Sequence, residues 1–169
     1  MIFVTVGTHE QSFNRLVKYM DEYKKNNIDE DIIIQTGFST YIPQYCTWEK
    51  IFPYKDMLNY ISEARIVITH GGPSSFILAL QVGKIPIVVP RQKQFNEHVN
   101  NHQVEFALAV AKRQKNIIVV EDINKLEQTI KDYNEIVCSM TTGLKSNNEI
   151  FIKEFKNLVR EIIEDKEQK

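Results

Sequence analysis

Short apolar runs alternate along the chain with longer segments in which apolar residues recur every three or four positions. Six runs are rich in Ile and Val and show no regular polar alternation: IFVTV (2–6), DIIIQT (31–36), EKIFP (49–53), RIVIT (65–69), IPIVVP (85–90) and NIIVVE (116–121). Such runs are typical of strands buried on both faces. Helices are predicted between them, near 11–26, 55–63, 74–82, 96–113 and 123–138. We therefore predict a doubly wound α/β fold with one parallel, Rossmann-like sheet.

A single domain over residues 1–169 is the simplest organisation of this chain. It has 169 residues, 43% of them hydrophobic, and no internal repeat, low-complexity segment or Pro/Ser-rich linker. Residues 147–166 predict a C-terminal amphipathic helix, because apolar side chains recur there at spacings of three and four. They are Phe151, Phe155, Leu158, Val159, Ile162 and Ile163. This apolar stripe packs either on the chain's own sheet or against another chain.

Charge and cysteine usage narrow the classes of function. The chain has 21 basic and 22 acidic residues, a formal net charge of -1, so no general polycation is available for nucleic acid or an anionic membrane. The start, MIFVTVGTHE, lacks the basic region of a signal peptide, and no run reaches the ~20 apolar residues of a membrane span. Cys46 and Cys138 lie outside any CxxC pattern, which favours free thiols over a disulfide. We expect a cytoplasmic protein that does not bind nucleic acid.

The most distinctive turn, HGGPSS (70–75), follows the fourth apolar run. Gly71 and Gly72 allow a ligand to approach the main chain. Ser74 and Ser75 place hydroxyl groups beside the unpaired amides of a helix N-terminus. Such an N-terminus attracts anions, and parallel sheets bind ligands beyond the carboxyl ends of their strands. The turn therefore predicts a phosphate site.

The first strand ends in a comparable turn, made of Gly7, Thr8, His9 and Glu10. His9 and Glu10 are either surface or helix-capping residues, or ligand-binding and catalytic groups that face the same crevice. No GxSxG elbow or Cys/His nucleophile pair occurs, which disfavours nucleophilic hydrolysis. GxGxxG and GxxxxGK[ST] are also absent, so the predicted phosphate site is neither an NAD site nor a P-loop.

A polar loop, PRQKQFNEHVNNHQ (90–103), follows the fifth strand. His98 and His102 have the spacing of zinc ligands, but HVNNH lacks the glutamate of HExxH, so no metal site is predicted. Amide and carboxylate groups make paired hydrogen bonds to neighbouring hydroxyls. The loop is therefore either a polyol-binding segment, which we favour, or a solvated helix start.

Three stretches together resemble a known family: FVTVGTHEQSFNRLV, ITHGGPSSFILALQVGKIPIVVPR and NEHVNNHQVEFA. Over about residues 1–120 the chain resembles the C-terminal, donor-binding half of the GT-B glycosyltransferases of family 28, which includes the MurG transferase of peptidoglycan synthesis. It also resembles small bacterial subunits of two-component capsule and exopolysaccharide transferases, related to the catalytic subunit of the dolichol-pathway GlcNAc transferase. The resemblance implies a UDP-sugar as donor substrate and no other cofactor or metal.

The resemblance also implies roles for individual residues. The implied donor-binding residues are Gly7, Thr8, Tyr54, Gly71, Gly72, Ser74, Ser75, Arg91, Gln92, Glu97 and His98. The turn at 71–75 would hold the diphosphate, and the loop 52–57, which contains Tyr54, would receive uracil. Glu97 and His98 would contact sugar hydroxyls. Many relatives carry an acidic group for the ribose hydroxyls where this chain has Leu78, which accepts no hydrogen bond.

The implied reaction is inverting transfer of a sugar from a UDP-sugar to a lipid-linked acceptor. It needs a base for the acceptor proton and stabilisation of the departing UDP. For the base, His9 or Glu10 is predicted first, although the group could equally belong to another chain. Backbone amides near 72–75 would stabilise UDP, with Arg91 or Lys93 as added charge. Galactose is favoured because Glu97 suits a neutral hexose, whereas Arg91 and His98 together would suit a uronate.

GT-B enzymes have two Rossmann-like halves, and this chain has the length of one. The resemblance therefore implies a membrane-associated partner subunit that binds the acceptor and holds this subunit at the inner face of the membrane. Two alternatives stay open. The chain is a non-catalytic UDP-sugar-binding or regulatory subunit, or it is an epimerase or hydrolase of nucleotide sugars, which would need a second domain of its own.

Overall fold

The computed structural model describes residues 1–140 and contains one parallel sheet of six strands in the order β3-β2-β1-β4-β5-β6. Its strands are β1 (Ile2–Thr5), β2 (Ile32–Gln35), β3 (Thr47–Glu49), β4 (Ile66–Thr69), β5 (Ile87–Val88) and β6 (Ile118–Val119). Its α-helices are α1 (Asn14–Asn26), α2 (Tyr54–Glu63), α3 (Pro73–Gln81), α4 (His102–Gln114), α5 (Leu126–Lys131) and α6 (Tyr133–Cys138). Short 3₁₀ turns cover Lys93–Phe95 and Ile123–Lys125.

The sheet is covered by helices on both faces, so its central strands are buried throughout. In β1 the side chains of Ile2 and Val4 pack with α1, α5 and α6, whereas Phe3 packs on the opposite face with α2 and α3. A third apolar cluster joins α3 and α4 to β5 through Phe76, Leu80 and Val88, among others. Burial on both faces explains the continuous Ile/Val runs, and the doubly wound, Rossmann-like fold predicted from them is confirmed.

The strand order reverses between β1 and β4, which are paired in register from Ile2–Ile66 to Thr5–Thr69. Chain connections on either side of this point lead away in opposite directions, so a crevice opens above the carboxyl ends of the two strands. The turns that follow β1 and β4 are the glycine-containing turns at residues 7–10 and 70–75. The topology therefore brings them together.

Three predicted elements differ from the structure. The single helix predicted near 123–138 is divided into the 3₁₀ turn Ile123–Lys125, α5 and α6. The third strand was predicted at 49–53 but spans Thr47–Glu49, because Phe52 turns inward against Phe3, at 6.2 Å between ring centroids. The helix predicted over 96–113 begins only at His102, because Asn96 adopts a left-handed backbone with φ 56° and the segment before it forms a 3₁₀ turn. The predicted C-terminal helix at 147–166 and its apolar stripe lie outside the described residues.

Asp21, a buried carboxylate on α1, organises the loop before β3. It accepts hydrogen bonds from the backbone N–H groups of Gln44, Tyr45 and Cys46, at 2.8 to 3.0 Å, and from the hydroxyl of Tyr41 at 2.8 Å. Burial by itself would raise the pKa of this carboxyl, but the four hydrogen bonds outweigh it and hold the pKa below its usual range. Asp21 is therefore ionised at neutral pH and fixes the loop.

Between residues 1 and 140, none of the helices combines the length and the apolar character that a membrane crossing requires.

Candidate functional site

A cleft of about 570 Å³ lies above the carboxyl ends of β1 and β4. Its volume is in the range of small-molecule sites, and it occupies the point of the sheet where the strand order reverses. The residues that line it come from the carboxyl ends of β1 and β2, from the turns after β1 and β4, and from α2 and α3. They are Thr5, Gly7, Thr8, His9, Gln35, Tyr54, Met57, Ile61, His70, Ser74, Ser75 and Leu78.

His70 forms the floor of the cleft and lies between the two glycine-containing turns. A Cβ atom at Gly7 would lie 2.4 Å from its Cε1, and one at Gly72 would lie 2.3 Å from its Nε2. Burial, together with the charge of nearby Arg91, lowers the pKa of His70 to about 4, so the imidazole is neutral at physiological pH. Its Nδ1 is buried and has no hydrogen-bond partner among residues 1–140.

No role was predicted for His70 from the sequence, although one signal was available. A polar ring directly after an apolar strand, and directly before two glycines, is placed where a parallel sheet binds its ligand. Both glycines were explained by the approach of a ligand. The structure adds a second reason, because the ring of His70 fills the space that a side chain at either position would need.

The first turn of α3 supplies one wall of the cleft. Gly72 precedes the helix and provides no side-chain cap. Pro73 has no N–H and the N–H of Ser75 donates to the carbonyl of Gly72 at 3.2 Å, so the N–H of Ser74 is the donor of this turn that is left for a ligand. Ser74 and Ser75 both line the cleft. Gly71 is buried instead, and a Cβ atom there would lie 2.9 Å from Cβ of Gln103. Of the four residues predicted for this turn, Ser74 and Ser75 line the cleft and Gly72 precedes the helix at its edge. The fourth, Gly71, instead allows the turn to pack closely against Gln103.

The other end of the cleft is largely apolar. Tyr54 is 64% exposed at the start of α2, and Met57 and Leu78 line the neighbouring walls. Gln35 fixes the base of this end, because its side chain accepts from the N–H of Phe52 at 3.1 Å and donates to Thr5 at 3.1 Å. Leu78, the residue that departs from the family pattern, therefore lies in the cleft as an aliphatic wall.

The four histidines of the chain all lie at this edge of the sheet. His9 lines the cleft, and its Nδ1 accepts a hydrogen bond from the N–H of Gln11 at 3.1 Å. Its ring centroid is 5.0 Å from that of His98, which is in turn 4.6 Å from that of His102. His98 is buried behind His9 and does not line the cleft itself. Glu10 is exposed and also lies outside the lining.

Arg91 is fully buried, and its guanidinium is used inside the protein. It donates to the carbonyl oxygens of Gln11 at 2.7 Å, Val6 at 2.9 Å, Glu97 at 3.2 Å and Ser12 at 3.3 Å. These carbonyls belong to the turn after β1 and the loop after β5. A buried guanidinium needs such acceptors, so Arg91 joins the two segments and does not reach the cleft.

Gln92 and Glu97 are also paired within the protein. The carboxylate of Glu97 accepts two hydrogen bonds from Arg15, each 2.9 Å long, and one from the N–H of Gln92 at 3.1 Å. The side chain of Gln92 donates to the carbonyl of Glu121 at 2.7 Å. Neither residue lines the cleft. Arg91, Gln92 and Glu97 therefore form their hydrogen bonds within the protein and lie outside the cleft lining.

Within the part of the chain that the structure describes, no group of three or more His, Cys, Asp or Glu side chains is arranged to hold a metal ion.

Comparison with known proteins places the chain in a family. Residues 1–162 match the family model described as "Glycosyltransferase family 28 C-terminal domain". The UDP-N-acetylglucosamine transferase subunit ALG13 of Homo sapiens is 34% identical over 116 residues, which are 63% of this chain and 10% of that protein. The subunit of the same name from Yarrowia lipolytica is 34% identical over 71 residues, 42% of this chain and 34% of that protein. This chain thus spans about a tenth of the human relative and about a third of the yeast relative.

Among solved structures, the glycotransferase of kitacinnamycin superimposes with a TM-score of 0.59. It is 15% identical, and the match covers 78% of this chain and 34% of that one. At this identity the likeness supports the shared fold alone. The match of the family model over nearly the whole length, together with the fold, leads to one conclusion, which the resemblance had predicted: the chain belongs to the C-terminal domain family of the family 28 glycosyltransferases.

Proposed function

We propose that this chain is the catalytic, UDP-sugar-binding subunit of a two-component inverting glycosyltransferase. The observation that carries the proposal is the cleft between the turns after β1 and β4, with an open helix N-terminus on one wall and an aromatic, apolar end on the other. The first feature suits a diphosphate and the second a nucleobase. The family to which the chain belongs supports a sugar-transfer reaction.

The donor lies along the cleft in this proposal. Uracil occupies the end near Tyr54, and the ribose lies against Leu78, which offers packing but no hydrogen bond. The diphosphate is bound by the hydroxyls of Ser74 and Ser75 and by the N–H of Ser74 in the first turn of α3. Departure of UDP adds negative charge to the diphosphate, and fixed N–H donors stabilise such charge without reorganisation. The base that takes the acceptor proton is His9, Glu10 or a group on the partner subunit.

The transferred sugar is a hexose, and galactose is the first donor to test. Glu97 was the residue expected to favour a neutral sugar, but its carboxylate is paired with Arg15. Because this pairing weakens the argument for a neutral sugar, UDP-glucuronate, whose sugar carries a carboxylate, is the informative comparison.

We propose a lipid-linked acceptor in capsular or exopolysaccharide synthesis. The acceptor site is on a membrane-associated partner, and this chain works in the cytoplasm at the inner face of the membrane. The names of the ALG13 relatives, which describe subunits, support a partner.

A non-catalytic, UDP-sugar-binding subunit is the second candidate. Two observations favour it: Glu10 lies outside the cleft lining, and Nδ1 of His9 is occupied by a backbone hydrogen bond. The two candidates differ in the effect of replacing both His9 and Glu10 with alanine in the complex with its partner. Loss of transfer with retained UDP-sugar binding supports the catalytic candidate, whereas transfer at the full rate supports the second.

Calorimetric titration of the purified chain tests donor binding directly. We expect UDP-galactose, UDP-glucuronate, UDP-GlcNAc or UDP to bind in preference to ADP, with one sugar favoured. Ser74→Asp places a negative charge in the proposed diphosphate site and should weaken binding by at least about tenfold, or ~1.4 kcal/mol. Ser62→Asp, at an exposed position on α2, is the matched control and should bind as the wild type does. Equal binding of ADP, or an unchanged Ser74→Asp variant, would contradict the proposed site.

A further inference from the structure

One face of α3 changes from polar to apolar along the wall of the cleft. Ser74 and Ser75 lie in the first turn of the helix, and Leu78 comes four residues after Ser74 and three after Ser75. Residues three and four apart lie on the same face of an α-helix, so the three side chains form one row, and all three line the cleft. The row is polar at the N-terminus of α3 and aliphatic one turn further along.

The length of one helical turn places Leu78 beside the ribose of the proposed ligand. A turn of α-helix rises about 5.4 Å, which is comparable with the distance between a 5′-phosphate and the ribose ring that carries it. In the proposed function, Ser74 and Ser75 bind the diphosphate and the base lies near Tyr54. The ribose connects these two groups, so Leu78 is the residue of α3 that faces it.

Packing behind Leu78 fixes it as a part of the cleft wall. Its side chain is partly buried and packs on an apolar cluster that includes Phe3, Ile61 and Ala79. These neighbours come from β1, α2 and α3 itself. The aliphatic surface is therefore present before any ligand binds.

The polar side chains at the base of this end of the cleft are used inside the protein. Gln35 accepts from the N–H of Phe52 at 3.1 Å and donates to Oγ1 of Thr5 at 3.1 Å. Oγ1 of Thr5 also accepts from the N–H of Gly7 at 3.2 Å. Gln35 and Thr5 are both buried. Their hydrogen bonds hold β1, β2 and the turn after β1 together beneath the wall that Leu78 forms.

No carboxylate of residues 1–140 lines the cleft. Glu10 and Asp56 are the acidic residues next to lining residues in sequence, and both are exposed and lie outside the lining. A carboxylate has two acceptor oxygens and is suited to binding two neighbouring hydroxyls. The 2′- and 3′-hydroxyls of a ribose beside Leu78 would therefore meet an aliphatic wall and solvent.

We propose that Leu78 leaves the 2′-hydroxyl of the nucleoside unrecognised, so that the site binds 2′-deoxyribonucleoside diphosphate sugars as well as UDP-sugars. The inference rests on the proposed function, which places a nucleoside diphosphate in this cleft. A site that hydrogen-bonds a hydroxyl rejects the analogue that lacks it, because the polar group of the protein is left unpaired. Leu78 has no such group. It also gives the hydroxyl no replacement for water, so the deoxy form binds at least as tightly.

Leu78 is a specificity-determining residue in this proposal, and a carboxylate in its place should create the missing discrimination. Leucine and glutamate have similar helix propensities, and the stem of glutamate covers apolar surface. A hydrogen bond from the 2′-hydroxyl to the new carboxylate should favour the ribose form by about tenfold. The new charge repels the diphosphate of both forms equally. The ratio of the two affinities therefore reports the hydroxyl alone.

The test is calorimetric titration of the purified chain with UDP and dUDP, which differ only in the 2′-hydroxyl. We expect the wild type to bind dUDP as tightly as UDP or more tightly. For Leu78→Glu, we expect UDP to bind about tenfold more tightly than dUDP. Ile77→Glu is the matched control, because Ile77 is exposed on the same helix and lies outside the cleft lining. It should keep the wild-type ratio.

The wild-type ratio decides the inference without any variant. Tighter binding of UDP than of dUDP by the wild type overturns the inference and leaves the proposed function intact. Equal affinities in a Leu78→Glu variant with an unchanged circular dichroism spectrum show that residue 78 does not face the ribose, which overturns its role. If the wild type binds neither nucleotide, the proposed function fails and the inference fails with it.

Discussion

Replacement of Arg91 by methionine distinguishes a scaffold from a ligand contact. Burial lowers the pKa of Arg91 to about 10 although the carboxylate of Glu97 opposes the shift, so the guanidinium is charged at neutral pH. Methionine has a similar length and apolar character but donates no hydrogen bond. The carbonyls of Gln11, Val6 and Glu97, at 2.7, 2.9 and 3.2 Å from the guanidinium, would each lose a buried donor. At ~1 kcal/mol for each unsatisfied group, we expect the free energy of unfolding to fall by ~3 kcal/mol.

Urea denaturation followed by fluorescence measures this loss, with the slope against denaturant as a check on two-state unfolding. The matched control is Arg113→Met, an exposed arginine in the last turn of α4, which should change stability by less than ~0.5 kcal/mol. A loss below ~1 kcal/mol for Arg91→Met would refute the scaffolding role. If stability were retained while UDP-sugar affinity fell, Arg91 would instead be the direct contact predicted from the sequence.

Three further predictions follow from buried groups. Gly72→Ala places a methyl group 2.3 Å from Nε2 of His70 and should lower the unfolding free energy, measured by urea titration, by ~1–3 kcal/mol. Unchanged stability would contradict this, because it would show that the imidazole ring moves aside without cost. The pKa of Asp21 is lower in the folded protein, so this carboxylate stabilises the fold above its unfolded pKa of ~3.9, and that stabilisation is lost as the pH falls through its folded pKa. The difference in unfolding free energy between wild type and Asp21→Asn should therefore shrink below about pH 4, and a difference that stays constant with pH would contradict this. Burial raises the pKa of Cys46 to about 12, so a thiol reagent should label exposed Cys138 alone in the folded protein and both thiols after unfolding; rapid labelling of both in the folded state would contradict it.

The fold was largely predictable because its strands are buried on both faces. Apolar runs such as RIVIT and IFVTV are short, rich in Ile and Val and without polar alternation, which is typical of strands buried on both faces, and both form central strands. The edge strand β3 was misplaced because it is not buried on both faces. Its residues Thr47 and Glu49 are exposed and lack the pattern, whereas the apolar Ile51 and Phe52 that follow it lie outside the sheet.

The sequence predicted those site residues whose position follows directly from the end of a buried strand. Gly7, Ser74 and Ser75 follow buried strands, and the structure places them around one cleft. Arg91 follows a strand as well, but the sequence does not reveal that backbone carbonyls from the turn after β1 surround it. Whether a polar side chain at a strand end points to the cleft or into the protein depends on partners distant in sequence.

The packing of His70 against glycine constrains how sequences of this kind can diverge. Gly72 has a backbone φ of -75°, which any residue adopts, so the imidazole ring is what excludes a side chain there. A smaller residue at position 70 would remove that barrier, and alanine at 72 would then fit. The opposite order passes through a clash. Substitution at these two positions is therefore directional: His70 must change first. A change at His70 does not free position 7 in the same way, because the backbone φ of 73° at Gly7 is strained for any other residue.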